Sequence, residues 1–151
     1  MFKQILLALD GSPQCERVSA LAGTLALSGD LSGGRSSLHL VCAVDAAYVL
    51  DSDDPEARGD FPAAAAQQTD AQALIAAQLA HLRGLGLVAS GAVLAGEPAA
   101  AICDEAARRN CDLIVIGHRH LSRLGRLFDP SIGARVLDAA PCPVLVEVRD
   151  A

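Results

Sequence analysis

The stretch IGHRHLSRLGRLFDPSIGARVL, residues 116–137, gathers the groups best suited to hold an anion. Arg119, Arg123, Arg126 and Arg135 lie there with His118 and His120, and only Asp129 opposes them. Arginine brings a fixed charge and a planar fork of donors that matches phosphate or carboxylate oxygens. Ser131 stands where a helix can start. It can cap that helix or give its hydroxyl to a phosphate, at an end whose unpaired N–H groups favour anions. Arg123 and Arg126 read instead as a solvated loop face, since exposed arginines commonly have no specific partner.

The rest of the chain must position this segment. Strand-length apolar runs occur at 2–10, 38–45, 87–96, 111–117 and 141–148. Helical spacing falls between them. Val18, Leu21, Ala22, Leu25 and Ala26 mark a first helix, with Ser12 as its cap, Pro13 in its first turn and Gly29 at its end. Leu74, Ile75, Leu79 and Leu82 mark an Ala-rich second helix over 63–86. EPAAAICDEAARRN holds a third, with Pro98 in its first turn, Arg108 and Arg109 in its last and Asn110 as its stop. SIGARVLDAA (131–140) holds a short fourth. Strands alternating with helices predict an α/β domain over 1–151: one doubly wound, five-stranded parallel sheet with helices on both faces. CDLIVIG is nearly all aliphatic, which suits an interior strand covered on both faces. Ligands in such sheets bind beyond the carboxyl ends of the strands. Here those ends carry Asp10, Val44–Asp45 and Gly117, so residues 116–137 fall on the functional rim.

Composition narrows the function. The 151 residues are 52% hydrophobic and 20% charged, and only 3% are aromatic, so the core must be aliphatic. A formal net charge of −6 argues against general binding to nucleic acid or to an acidic membrane surface. No apolar run has transmembrane length, and the opening MFKQILLALDGS does not have the pattern of a signal peptide, so the expected compartment is the cytoplasm. Cys15, Cys42, Cys103, Cys111 and Cys142 form no C-x-x-C pair and read as free thiols. Residues 45–62 hold an excess of acids with Pro55, Gly59 and Pro62, the pattern of a solubilising loop. DSDD within it lacks the glycine and distal Glu of a calcium loop, and no metal is expected. His81 should face solvent and His39 should sit on a strand, both in structural roles. No nucleophile–base–acid set is visible, so no enzymatic chemistry is expected; general-base work by His118 or His120 ranks last.

Three blocks carry a family resemblance: ILLALDGS, GEPAAAICDEAARRNCDLIVIGHR and ARVLDAAPCPVLVEV. With them, almost the whole chain resembles a universal stress protein of the UspA type. The resemblance implies a Rossmann-like sheet of the adenine-nucleotide alpha hydrolase kind, and pairing of two chains through the last strand. Nucleotide-binding members carry G-x2-G-x9-G-[ST] after the fourth strand; here Gly117, His120, Pro130 and Ser131 fall on those positions. The spacing is kept and two glycines are lost. His120 costs about 1 kcal/mol wherever a left-handed backbone is needed. Pro130 has no N–H to donate, and it pushes the acidic Asp129 toward extended geometry. By the resemblance Asp10 is the acid that contacts the nucleoside; it reads equally well as a turn-forming Asp before Gly11. Val44 lines the adenine slot or is simple core. Arg119 and His118 can replace lost backbone donors with side-chain charge. The reading is a dimeric regulatory binding module in which ATP is a doubtful ligand. The alternative is an ATP-binding member with slow hydrolysis, working through Asp10, Gly117, Arg119 and Ser131.

Overall fold

Alternation of aliphatic runs with helical spacing produces nine elements in chain order. They are β1 (Gln4–Leu9), α1 (Cys15–Leu27), β2 (Ser37–Val44), α2 (Pro62–Gly84), β3 (Val88–Ala95), α3 (Pro98–Arg108), β4 (Leu113–His118), α4 (Ser131–Ala139) and β5 (Val144–Val148). The computed structural model describes residues 2–28, 34–44, 62–118 and 131–148. The acidic stretch 45–61, Gly29, and Arg119, His120, Arg123, Arg126, Asp129 and Pro130 lie outside the described residues, as do the side chains of His118 and Ser131.

All strand pairs are parallel, in the order β3-β2-β1-β4-β5. Side chains alternate across the sheet, so each strand feeds two cores. Ile5, Leu7 and Leu9 of β1 meet Leu38, Leu40 and Cys42 of β2 on one face, under Val18 and Ala22 of α1 and Ile75 and Leu82 of α2. Leu6 and Val41 face the other way, under Ile102 and Ala106 of α3 and Ile132 and Val136 of α4. β1 and β4 are therefore covered on both faces, as the aliphatic run around Val115 requires.

Helix boundaries follow local hydrogen bonding. Glu97 caps α3 by accepting from Ala99 N (3.1 Å) and Ala100 N (2.8 Å), with Pro98 next in the chain. Asn110, at φ 53°, lets the chain turn back so that Cys111 N bonds Ala106 O at 2.9 Å. Gly86, at φ 80°, does the same after α2, where Leu87 N bonds Leu82 O at 3.2 Å. The expected Ser12 cap is not formed. Asp10 Oδ1 accepts from Ser12 N at 2.9 Å and, with Gly11 at φ 76°, folds residues 10–12 into a tight turn. The helix then starts at Cys15 with Gln14 in the N-cap position and no side-chain cap, beyond the position from which Ser12 could serve as cap. β4 also starts later than the 111–117 run suggests. Asp112 is used before the strand, where its carboxylate accepts from Lys3 N (2.7 Å) and Gln4 N (3.0 Å) and ties the start of β1 to that of β4.

Candidate functional site

The chain reverses its direction of travel across the sheet between β1 and β4, with β2 and β3 to one side and β5 to the other. At that switch point, beyond the carboxyl ends of β1, β2 and β4, opens a cleft of about 620 Å³. Asp10, Val44 and Gly117, far apart in the chain, all line it. Ile132 and Gly133 in the first turn of α4 reach it, so Ser131 stands at its edge in the backbone. Arg119, His120 and Pro130 belong to the segment outside the described residues.

Each wall has a physical role. Asp10 Oδ1 takes two hydrogen bonds, from Ser12 N and from the Cys15 thiol at 3.3 Å. Among the described residues Oδ2 takes none, so one carboxylate both builds the turn and keeps an acceptor for a ligand. The Ser12 hydroxyl is buried beside it with no partner among the described residues. Cys15 and Cys42 line the same space. Burial pushes both thiols up, Cys42 to about 11, so near neutrality they are small protonated walls rather than nucleophiles.

Gln14 closes one end of the cleft. Its Nε2 donates to Glu147 O at 2.9 Å and to Glu147 Oε2, and Arg17 holds Glu147 Oε1 at 2.8 Å. A Cβ built on Gly117 would lie 3.0 Å from Gln14 Cδ and Oε1 and 3.2 Å from Val18 Cγ2. Gly117 is thus needed here to admit the Gln14 carboxamide. Arg135, grouped with the basic segment by sequence, pairs with Glu97 Oε1 at 3.1 Å. The Glu97 carboxyl lies below its ordinary range, chiefly through the Ala100 N–H, with the Arg135 charge adding to it.

His39 has partners that the sequence did not disclose: Ser90 Oγ at 2.8 Å and Glu105 Oε1 at 2.9 Å, on the face away from α1. Its role is still structural. Gln14, Cys42, Gln67 and Asp70 are cleft residues that sequence reasoning missed. The α2 pair was findable: 67, 70, 71 and 74 lie on one helical stripe that ends on the predicted apolar face. Gln14 carried no such signal, because its partner lies at the far end of the chain.

Comparison with known proteins matches residues 1–149 to the model of the universal stress protein family. A universal stress protein of Thermus aquaticus is 34% identical over 148 residues, covering 97% of this chain and 98% of the relative. Two solved structures are similar in fold. One is a universal stress protein from Archaeoglobus fulgidus in complex with dAMP, with TM-score 0.65, 22% identity, and 95% and 96% of the two chains covered. The other is a family member from Arabidopsis thaliana with AMP bound, with TM-score 0.66, 18% identity, and 99% and 93% covered.

Proposed function

The chain belongs to the universal stress protein family, and from that premise we propose a dimeric regulatory binding module that takes a nucleoside or nucleoside monophosphate without strong ATP binding and without chemistry of its own. The observation that carries the reading is the convergence of Asp10, Val44 and Gly117 on one cleft at the switch point. A carboxylate at the end of β1 can accept ribose hydroxyls, and Val44 with the two thiols offers an apolar slot for a base. The dAMP and AMP complexes of proteins with this fold support the ligand class. His120 and Pro130 stand where glycines would let backbone N–H groups approach a polyphosphate, which argues against ATP. Pairing through β5 is supported by its place at the sheet edge and by Val148, 54% exposed there. Five free thiols suit a reducing, cytoplasmic setting. Among the described residues, no helix is long and apolar enough to cross a membrane.

The test is calorimetric titration of the full chain with adenosine, AMP and ATP. Adenosine or AMP should bind and ATP should bind far more weakly. Micromolar ATP affinity, with a Tm that climbs with ATP concentration as linkage demands, would show the alternative, an ATP-binding member. His120→Gly with Pro130→Gly should raise ATP affinity; no gain defeats the glycine argument.

A further inference from the structure

We infer that Ser90 is an acylation site: an exposed serine whose hydroxyl His39 deprotonates, with Glu105 orienting the imidazole, and which accepts an acyl group from an activated donor such as a thioester or aryl ester. This goes beyond the binding reading and does not rest on it, because Ser90 stands on β3, outside the cleft.

The sequence shows no nucleophile–base–acid set, yet the sheet register assembles one. His39 of β2 lies opposite Ser90 of the edge strand β3, so both side chains leave the same face of the sheet, toward α3. Ser90 Oγ is 2.8 Å from His39 Nδ1, and His39 Nε2 is 2.9 Å from Glu105 Oε1. Arg108 Nη2 at 2.6 Å and Arg109 Nε at 2.7 Å bind the same Oε1 and keep the carboxylate ionised. An ionised carboxylate only accepts, so Nε2 carries the ring proton and Nδ1 offers its lone pair to the Ser90 hydroxyl. These are the roles of nucleophile, base and orienting acid, with the two ring nitrogens exchanged relative to the serine-protease arrangement. His39 and Glu105 are buried, whereas Ser90 is exposed. Beside its structural role, the imidazole thus backs a hydroxyl that a donor can reach.

The backbone next to Ser90 adds a hydrogen-bond donor. Gly96 N bonds Val44 O, and the β2–β3 register runs unbroken back to Val88. Directions alternate along a strand, so the Ser90 N–H also points to β2 while those of Ala89 and Gly91 point to the open edge. Arg83 takes Ala89 O at that edge, at 3.0 Å and 2.8 Å. The Gly91 N–H is left to meet an oxyanion growing on an acyl group at Ser90. In the transfer, the Ser90 oxygen bonds to the carbonyl carbon as its proton passes to Nδ1. The carbonyl re-forms as the thiolate or aryloxide leaves with that proton, so the products are an acyl-serine and a thiol or phenol. The Arg108 and Arg109 charges oppose an imidazolium, which makes His39 a modest base and selects donors with good leaving groups.

The test incubates the folded full-length chain with p-nitrophenyl acetate, follows nitrophenol release and maps the acetyl group by mass spectrometry. Expected is one acetyl group on Ser90, transferred about a hundredfold faster than to free N-acetylserinamide, the low end of what a positioned base supplies. Ser90→Ala should lose that acetyl group, and His39→Gln should slow its transfer by about tenfold. Glu105→Gln keeps an acceptor for Nε2 without the charge, and its rate should fall between those of wild type and His39→Gln. No acetyl group on Ser90, acetylation confined to other residues, or a Ser90 rate no faster than that of the free amide overturns the inference. Those wild-type results stand whether or not a variant folds. A wild-type rate in folded His39→Gln or Glu105→Gln overturns the relay as well. Each of these failures leaves the nucleoside reading of the cleft intact.

Discussion

His39 Nε2 lies 2.9 Å from Glu105 Oε1, with the two side chains only 3% and 7% exposed. Burial alone would raise the Glu105 pKa, but hydrogen bonds from Arg108, Arg109 and His39 outweigh it and hold the group at about 2. The carboxylate is therefore ionised, so Nε2 carries the ring proton and Nδ1 accepts from the Ser90 hydroxyl at 2.8 Å. Burial lowers the His39 pKa, and the Arg109 charge lowers it further, which keeps the ring neutral. One buried imidazole thus joins β2, β3 and α3. Glu105→Ala should cost about 2 kcal/mol, because the two arginines return to water while His39 is left without its acceptor. Urea unfolding would measure this, and a loss below about 0.5 kcal/mol, the range of ordinary surface changes, contradicts it.

The same pair sets the acid response. His39 has a folded pKa below its ordinary 6.5, so on acidification the unfolded chain takes up the proton first. Its contribution is complete above pH 6.5 and declines as pH falls from there toward the lower folded value. Glu105, at about 2 against an ordinary 4.5, stabilises fully above 4.5 and loses that effect as pH falls toward 2. His39→Gln should flatten the decline that begins at pH 6.5 and keep the decline below 4.5. Denaturation midpoints across this range would show both limbs, and an unaltered upper limb refutes the assignment.

Gly91 is demanded by packing. A Cβ there would sit 2.5 Å from Ile75 Cγ2 and 3.2 Å from Leu40 O, so α2 would have to lift from the sheet. Gly91→Ala should destabilise by about 2 kcal/mol. Adding Ile75→Leu, which removes the Cγ2 methyl on the β-carbon that collides, should restore part of the loss. No recovery in thermal or urea melts would place the strain elsewhere.

Asp10 separates turn from ligand. Asp10→Asn keeps an Oδ1 for Ser12 N and should fold almost as well as the wild type. Asp10→Ala should cost about 1 kcal/mol. Both should weaken adenosine by about tenfold, as a lost charge-assisted bond would. If Asn binds as well as Asp, the carboxylate charge has no part in recognition.

Val148→Arg places a charge on the exposed end of the edge strand β5. On the proposed pairing through β5, sedimentation velocity should show the wild type paired and this variant as single chains, while unfolding shifts by less than about 0.5 kcal/mol. Val146 is the poorer choice because it packs against the core on the α3 and α4 face. A variant that stays paired moves the interface away from β5.

The sheet was legible because strand and helix periods are local signals. Five apolar runs with helices between them leave few alternatives to a parallel, doubly wound sheet, and Asp10, Val44 and Gly117 could be placed at strand ends from that alone. What escaped was set by partners distant in the chain. Glu105 looked like one helix acid among several, and only the sheet register brings His39 and Ser90 beneath it. Gln14 gains meaning from Glu147 at the other end of the molecule. Ser12 looked like a cap, and Asp10 two residues earlier redirected it.

Because Asp112 staples the first residues of β1 and β4 completes the cleft wall, the recognition surface cannot exist on a partly made chain. During synthesis Asp10 emerges first and waits for Gly117 and α4, more than a hundred residues later. Closing so long a loop delays the final shape. Any small molecule that seats here therefore stabilises the assembled fold and finds no site on a fragment that stops short of the fourth strand.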